Sequence, residues 1–325
     1  MTGLVDVVVP LRDVADHLPV FLASVEANSP AGCRYLLIDD GSRDGSADLL
    51  DEASRRLPSL ELHRLARPVG VSAARNAALE LVDAEYLAFA DADDWMAPGR
   101  IAHLVAAQHR TGAAFLRTDH VRVNGYRRIL DTAPSELREV ALPAADGIGD
   151  AGGRALVDYP FLWAGLFDLA QLPPPSRLGF DPALRTAADR PWFWRLHLGE
   201  LSVAVVDAPG YFYRRSPGQR ALTEAGADRG LDILDAMRQV LAVASASEVP
   251  AYRRRAAFTT VRMIALHVSR RGRLSPDQQL RLVAGAAELL AQIEPVDLEP
   301  ALAATHPEQA ELAAELVAAG RRWAG

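Results

Sequence analysis

Acidic residues are concentrated directly after a short apolar run. The run extends from Tyr86 to Ala90, and Asp91, Asp93 and Asp94 follow it. A near-continuous apolar run is typical of a parallel strand that is buried on both faces. Ligands of open α/β sheets bind beyond the carboxyl ends of such strands, and closely spaced carboxylates there supply the oxygen ligands that Mg²⁺ or Mn²⁺ prefers. The pattern therefore predicts a divalent-cation site, and the alternative is a solvated turn in which Asp94 caps a helix.

A second pair of acids and an arginine extend this prediction. Asp39 and Asp40 follow another apolar run, and neighbouring parallel strands would bring them to the same edge. A carboxylate there can accept hydrogen bonds from a nucleobase or a ribose hydroxyl. Arg75 lies in the first turn of a helix that Ser72 is predicted to cap, where a cation and free N–H groups suit phosphate. Together these residues indicate a nucleotide-diphosphate site. The alternatives are an Asx turn of Asp40 before Gly41 and a surface salt bridge of Arg75.

These residues need a scaffold, and the first 95 residues provide one. Apolar runs alternate with segments whose apolar residues recur at helical spacing, which predicts the order β-α-β-α-β-α-β and a parallel sheet with right-handed crossovers. The strands are predicted at residues 4–11, 35–38, 60–65 and 86–90. Further predictions are a helix over 98–110 and strands over 114–118 and 202–206.

The pattern changes after about residue 216, where strands give way to amphipathic helices. We predict a domain over 1–221 and a helical domain over 222–325. Ser275 begins a capping box, and Thr305 is predicted to begin another. Arginines in this region could form a basic face for an anionic polymer or lipid, or a solvated helix face. They are Arg253, Arg254, Arg255, Arg270, Arg271 and Arg273. Self-association through these helices is left open.

Composition narrows the classes of function. The chain has 325 residues, a net charge of −7 and a pI of about 5.7, so general binding of nucleic acid is not favoured. It contains no lysine, which excludes a lysine nucleophile. Cys33 alone can form no internal disulfide and is expected to be a buried thiol. Without a signal peptide or a long apolar run, the protein is expected in the cytoplasm, with contact at the inner face of the membrane left open.

Three motifs in order resemble a known family. They are Ile38-Asp-Asp-Gly-Ser-Arg-Asp-Gly-Ser46, Gly70-Val-Ser-Ala-Ala-Arg-Asn76 and Tyr86-Leu-Ala-Phe-Ala-Asp-Ala-Asp-Asp-Trp95. Together they resemble the inverting glycosyltransferases of family two, which have the Rossmann-like GT-A fold, and the resemblance covers residues 4 to about 215. It implies a nucleotide-sugar donor, usually a UDP-sugar, a glycan or polymer acceptor, and Mn²⁺ or Mg²⁺ held at a D-x-D motif.

The resemblance also implies roles for matching residues. Asp40 would contact uracil, Asp91 would face the ribose and the metal, and Asp93 would bind the metal. The residues implied to bind the nucleotide-sugar are Pro10, Leu11, Asp40, Arg75, Asp91 and Ala92. Arg214 and Arg215 could assist the diphosphate, or they could be solvated surface charges.

An inverting transfer also needs a base for the acceptor hydroxyl. The segment around Asp189 matches the family's acidic residue before an aromatic helix, so Asp189 is the candidate base. Trp192 and Trp194 could desolvate it or stack on a sugar ring. The alternative is that Asp189 caps a helix starting at Pro191.

The sequence also departs from the family. Arg12-Asp13, Pro68 and Ala188 replace residues that are common in it, which leaves donor and base specificity open. Two other functions stay open: a nucleotidyltransferase, and a glycan-binding scaffold derived from a transferase. The first usually needs a Gly-rich loop after the first strand, which this chain lacks.

Overall fold

The computed structural model of the chain describes residues 3–30, 32–174, 178–215 and 229–324. The chain divides into two compact units. The first consists of Met1–Pro143, Phe161–Pro182 and Leu201–Gln219, and the second of Ala144–Pro160, Ala183–Glu200 and Arg220–Gly325. The predicted domain boundary at 221 lies outside the described residues.

The first unit contains the strands and four helices of the described chain. The strands are β1 (Val5–Leu11), β2 (Cys33–Asp39), β3 (Leu60–Arg64), β4 (Tyr86–Phe89), β5 (Trp95–Met96), β6 (Phe115–Thr118), β7 (His120–Asn124), β8 (Arg127–Asp131), β9 (Leu142–Pro143), β10 (Gly165–Asp168), β11 (Ser202–Val206) and β12 (Tyr211–Arg214). The helices are α1 (Leu18–Glu26), α2 (Ser46–Arg56), α3 (Val71–Leu79) and α4 (Arg100–Thr111).

The larger sheet has the order β3-β2-β1-β4-β10-β6-β11-β9 within the described residues. Strands β3, β2, β1 and β4 are parallel neighbours, as the predicted β-α-β-α-β-α-β order requires. Every residue of β1 is buried, which explains why its sequence is almost entirely apolar. The mostly parallel α/β sheet predicted from the sequence is confirmed.

Strand β10 interrupts the parallel order, because it runs antiparallel between β4 and β6. Its first residue, Gly165, lies so close to β6 that an added Cβ would come 1.9 Å from the carbonyl oxygen of Leu116. Only glycine tolerates that approach. No periodic pattern in the sequence predicts that β10 pairs with β4 and β6.

The smaller sheet has the order β5-β12-β7-β8, and it contains a buried histidine. The ring of His120 lies 4.6 Å from the Phe161 ring and 4.8 Å from the Trp163 ring, centre to centre. Burial lowers the pKa of His120 to about 4. The negative charge of Asp131 acts in the opposite direction, and the positive charges of nearby arginines lower the pKa further. The neutral imidazole is therefore the form that this cluster accommodates.

Acid should destabilise the fold through His120. A histidine in the unfolded chain has a pKa of about 6.5, so between that pH and about 4 only the unfolded state binds the proton, and the free energy of unfolding falls as the pH drops. The full loss amounts to about 3 kcal/mol. Urea unfolding of His120→Phe should show a shallower acid decline than the wild type, whereas His306→Phe, at an exposed histidine, should keep it. Equal declines in all three proteins would contradict this assignment.

The second unit contains six α-helices among its described residues. They are α5 (Asp189–Leu198), α6 (Asp232–Ser245), α7 (Pro250–Ser269), α8 (Pro276–Ala291), α9 (Pro295–Ala303) and α10 (Pro307–Ala324). The capping box at Ser275 is confirmed, since its side chain accepts from the Gln278 N–H and the Gln278 side chain accepts from the Ser275 N–H. The one predicted at Thr305 is wrong, because α10 begins at Pro307, two residues after Thr305, and the Thr305 hydroxyl donates backward to the carbonyl of Ala301 at 2.8 Å.

Three of the arginines considered for a basic face are paired with acids instead. Arg253 pairs with Asp297 at 3.3 Å, and Arg254 pairs with Asp150. Arg255 is 1% exposed and binds Asp158 at 2.6 Å. All of these acids belong to the same unit, so these arginines hold the second unit together.

The structure bears on two predictions from the sequence, the burial of Cys33 and the lack of a long apolar segment. Cys33 is buried, as predicted, and burial raises the pKa of its thiol to about 12. In the part of the chain that the structure describes, no helix combines the length and the apolar character needed to cross a bilayer.

Candidate active site

The parallel strands of the first unit bring the predicted residues to one edge of the sheet. In the register of β1 with β2, Pro10 lies opposite Ile38 and Leu11 opposite Asp39. In its register with β4, Val8 lies opposite Phe89, so the chain after β4 leaves the sheet at the same edge. The residues that follow these strands are therefore neighbours in space.

The carboxylate of Asp40 is hydrogen-bonded to the backbone that precedes α3. Its carboxylate is 5% exposed and accepts hydrogen bonds from the N–H groups of Val69 (2.6 Å) and Gly70 (2.9 Å). Asp40 does not make the Asx turn considered for it, and the preceding Asp39 instead accepts from the N–H of Ser42, three residues further on, at 2.9 Å. Contact of Asp40 with a nucleobase stays a prediction.

Helix α3 begins at Val71, two residues earlier than a cap at Ser72 implies. Gly70 precedes it with a φ of 92°, and the N-cap makes no side-chain hydrogen bond. The predicted cap by Ser72 is therefore wrong, since Ser72 is the second helical residue and is buried. A glycine fits there because a φ of that sign strains a residue with a Cβ.

Arg75 points to the acidic cluster rather than to the surface. Its side chain is 13% exposed, and one guanidinium nitrogen lies 3.5 Å from the Asp91 carboxylate. The guanidinium also lies over the Phe180 ring, 5.5 Å from its centre. Asn76 fixes that ring by donating to the carbonyl of Phe180 and accepting from its N–H, both at 2.8 Å.

Arg214 meets the same cluster from β12. Its backbone N–H donates to Asp94 at 2.7 Å, and its Nε donates to the carbonyl of Asp93 at 2.8 Å. The guanidinium lies over the Trp95 ring, 4.7 Å from its centre. Asp94 is 1% exposed and holds β12, so the interpretation of Asp94 as a helix cap is wrong.

The cluster carries closely spaced negative charge. Burial and the Asp91 carboxylate raise the pKa of Asp93 to about 6. Burial, together with Asp93 and Asp91, also raises the pKa of Asp94 well above its usual range. A cation between Asp91 and Asp93 would relieve this repulsion, so these carboxylates fit a divalent metal. Among the described residues no group of three or more acidic, His or Cys side chains is arranged to hold a metal, so other ligands would come from a bound diphosphate or water.

The other predicted residues lie as follows. Ala92 is 3% exposed between the two aspartates, and Leu11 is 5% exposed. Arg215 is exposed and lies over the ring of Tyr213. Both Trp192 and Trp194 are 1% exposed, so neither offers a face to a sugar here.

Asp189 belongs to the second unit, where it is the first residue of α5. The interpretation in which it caps a helix starting at Pro191 is therefore wrong. A carboxylate in the first turn of a helix is stabilised in its charged form by the helix dipole.

A family model decides the relationship that the motifs suggest. Residues 6–167 match the model described as glycosyl transferase family 2. The chain belongs to glycosyl transferase family 2. The resemblance predicted from the three motifs is confirmed.

Several relatives share parts of this family 2 chain. It is 25% identical over 219 residues to EpsH of Bacillus subtilis, covering 66% of this chain and 61% of EpsH. It is 33% identical over 163 residues to the undecaprenyl-phosphate 4-deoxy-4-formamido-L-arabinose transferase of Pseudomonas fluorescens, covering 48% of this chain and 44% of that protein. It is 31% identical over 100 residues to the succinoglycan biosynthesis protein ExoU of Rhizobium meliloti, covering 31% and 29%. The chain thus spans less than two thirds of the length of each of these proteins.

Solved structures share the fold of the family 2 chain at low sequence identity. TarS of S. aureus superposes with a TM-score of 0.71 and 15% identity, over 97% of this chain and 53% of TarS. TarS 1–349 in complex with UDP-GlcNAc gives a TM-score of 0.70 and 14% identity, over 98% of this chain and 92% of that one. The GT-A fold, with helices at the C-terminal end, is thereby confirmed.

Sequence reasoning missed two residues that shape this family 2 site. Tyr211 is buried, and its hydroxyl accepts a hydrogen bond from the Asp91 N–H at 2.9 Å. Asn76 ends one of the three motifs and holds Phe180 against Arg75. The motif pointed to Asn76, but a contact with Phe180, so distant in sequence, has no local pattern.

Proposed function

We propose that this family 2 protein is a metal-dependent, inverting glycosyltransferase whose donor is a nucleotide-diphosphate sugar, first of all a UDP-sugar. The observation that carries the proposal is the cluster of Asp91, Asp93, Arg75 and Arg214 at one edge of the sheet. A diphosphate with its cation needs ligands of both signs, and this cluster contains two carboxylates and two guanidinium groups.

The comparisons support the classes of donor and acceptor. TarS, whose fold the chain shares, has been solved in complex with UDP and with UDP-GlcNAc, so a hexosyl or N-acetylhexosaminyl donor is proposed. The relatives include an undecaprenyl-phosphate transferase and a succinoglycan biosynthesis protein. The proposed acceptor is therefore a hydroxyl of a cell-envelope polysaccharide, a polyol-phosphate polymer or a glycolipid.

In this mechanism the first unit binds the donor. Arg75 and Arg214 would bind diphosphate oxygens, and both side chains are already restrained by stacking on Phe180 and Trp95. Restraint before binding lowers the entropy lost when the donor is ordered. Asp93 and Asp91 would hold Mn²⁺ or Mg²⁺, which when bound neutralises charge on the leaving diphosphate.

Asp189 is the proposed base. It would take the proton of the acceptor hydroxyl while that oxygen forms a bond to the anomeric carbon on the face opposite the diphosphate. The bond between the anomeric carbon and the diphosphate oxygen breaks in the same displacement, so the anomeric configuration inverts. In slow donor hydrolysis, water takes the place of the acceptor.

Donor hydrolysis tests the proposed function without knowledge of the acceptor. The purified chain would be incubated with a panel of UDP-, GDP- and dTDP-sugars, with Mn²⁺ or Mg²⁺ or with a chelator, and free nucleotide diphosphate would be measured. We expect slow release from one donor that stops when the metal is chelated. No release from any donor, with glycan binding that needs neither nucleotide nor metal, would instead favour the scaffold function.

Replacing the base should separate turnover from donor binding. Asp189→Ala is expected to lower kcat for UDP release from the preferred donor by about 10²-fold or more, because proton removal by a positioned base contributes on that scale. Its affinity for UDP should stay unchanged. The matched control is Glu200→Ala, an exposed acid just beyond the other end of α5, which should keep the wild-type kcat. Wild-type turnover in Asp189→Ala would remove Asp189 from the mechanism.

A further inference from the structure

Asp232 is a buried carboxylate that the proposed mechanism does not yet use. It is the first residue of α6 and is 5% exposed. Its Oδ2 accepts hydrogen bonds from the backbone N–H groups of Arg185 (2.8 Å) and Thr186 (3.0 Å). Its Oδ1 accepts from the guanidinium of Arg185 at 3.0 Å. One carboxylate thus fixes two consecutive residues through three hydrogen bonds.

The segment that Asp232 fixes leads directly into the helix of Asp189. Ala187 follows it with a φ of 60°, a left-handed conformation that a residue with a Cβ keeps only when its surroundings hold it there. The carbonyl of Ala187 then accepts from the Arg190 N–H at 3.2 Å. The direction in which α5 starts, and therefore the position of Asp189, depends on this turn.

Helix α6 supports α5 in a second way, because the two helices pack against each other within the second unit. The packed residues of α5 are largely aromatic, and Phe193 is fully buried. Packing alone leaves the first turn of a helix free to fray, since its N–H groups have no partners inside the helix. The hydrogen bonds that Asp232 accepts from Arg185 and Thr186 restrain the chain three to four residues before that end.

We propose that Asp232 is a positioning residue for Asp189, so that the C-terminal helices set the place of the base. The proposal rests on the proposed function, in which Asp189 takes the acceptor proton. Under this proposal the C-terminal helices contribute to sugar transfer, because Asp232 lies in α6 and its carboxylate binds the turn that precedes α5. A displacement of a reacting group by about 1 Å lowers a rate by about 10²-fold, so loss of this anchor should be visible in turnover.

The test compares variants of the full chain. Asp232→Ala removes all three acceptor bonds, and Asp232→Asn keeps a carboxamide oxygen that can accept from both N–H groups. Asp235→Ala is the matched control: its residue lies in the same helix, its side chain is 65% exposed, and it pairs with Arg238. The probes are UDP release from UDP-GlcNAc, UDP binding with Mn²⁺, and amide exchange over residues 183–190.

We expect Asp232→Ala to lose about 10- to 100-fold in kcat, with KM for the donor and affinity for UDP within about twofold of wild type. Exchange over residues 183–190 should rise in the same variant. Asp232→Asn should recover most of the turnover, and Asp235→Ala should match the wild type. If Asp232 served only in folding, a variant that still folds and binds the donor would keep its kcat. A lower kcat with unchanged donor binding therefore indicates a positioning role.

The failures of the two proposals are distinguishable. Wild-type kcat in Asp232→Ala, while Asp189→Ala loses turnover, would overturn the positioning role and leave the base in place. Wild-type kcat in Asp189→Ala would overturn the base itself. If Asp232→Ala does not fold, Arg185→Ala, which removes only the guanidinium arm, replaces it in the test. A lower kcat and faster exchange over residues 183–190 are then expected, and wild-type kcat with wild-type exchange in Arg185→Ala would overturn the positioning role.

Discussion

Asp93→Ala is expected to abolish metal-dependent release of nucleotide diphosphate, a loss of about 10³-fold or more, since a bound metal supplies several kcal/mol of transition-state stabilisation. Burial and the charge of the Asp91 carboxylate together raise the pKa of Asp93 to about 6. A cation bound between these two carboxylates would reduce their repulsion. The measurement is donor hydrolysis by wild type and variant over a range of Mn²⁺ concentrations.

A matched control is available on another strand of the same sheet. Asp207 also follows directly after a strand, β11, but its side chain is 80% exposed and its partner is Arg138. Asp207→Ala should keep wild-type turnover and the wild-type dependence on Mn²⁺. Chelator-sensitive turnover that survives in Asp93→Ala would contradict the assignment of Asp93 as a metal ligand.

The largest effect on stability is expected in the second unit, from Asp158→Ala. Its carboxylate binds Arg255, which is 1% exposed, and accepts from the Thr259 hydroxyl at 2.8 Å. The same guanidinium also donates to the backbone carbonyls of Asp150 and Gly152. Removal of Asp158 leaves the buried Arg255 guanidinium without its counter-charge, which costs about 3–5 kcal/mol. Urea unfolding followed by far-ultraviolet circular dichroism, which helices dominate, measures the loss.

The control for this prediction is an exposed ion pair of the same unit. Asp277 is 81% exposed and lies 4.0 Å from Arg281, so Asp277→Ala should change the free energy of unfolding by less than about 1 kcal/mol. The double variant Asp158→Leu with Arg255→Met removes both charges and should recover part of the lost stability. A loss in Asp158→Ala no larger than in Asp277→Ala would show that the buried pair does not hold residues 144–160 on α7.

The residues that follow the parallel strands could be predicted to lie together, because the pattern that places each of them lies within a single strand and the residues next to it. Each central strand is an apolar run, and right-handed crossovers leave parallel neighbours as the simplest arrangement. Chemistry-bearing residues at the ends of such strands then meet, as Arg75 and Asp91 do at 3.5 Å. The family motifs sharpened this prediction, but the strand order alone already placed the residues together.

The roles of single side chains were harder to predict, because the type of a residue does not reveal its partner. Asp40 uses its oxygens for the N–H groups of Val69 and Gly70, which lie 29 and 30 positions away. Asp232 reaches Arg185 over 47 positions. Spacing patterns describe neighbours along one element, so contacts of this range have no periodic trace in the sequence.

The helix starts show a similar limit. Ser275 was predicted correctly because both halves of its capping box are local. Thr305 had the same local pattern, but its hydroxyl bonds to Ala301 in the preceding helix. In place of Ser72, Gly70 with its positive φ is the N-cap of α3. Each outcome depends on which backbone groups the fold leaves without partners.

Calorimetric titration with UDP, in the presence and absence of Mn²⁺, measures whether the ends of these strands bind a nucleotide together with a metal. We expect UDP to bind and Mn²⁺ to tighten its binding by about tenfold or more, since the diphosphate and the carboxylates of Asp91 and Asp93 would share the cation. Asp93→Ala should lose the effect of Mn²⁺ but keep weak binding. Failure of the wild type to bind UDP under either condition, or equal affinity with and without Mn²⁺, would contradict the claim that this edge of the sheet is a metal-dependent nucleotide-sugar site.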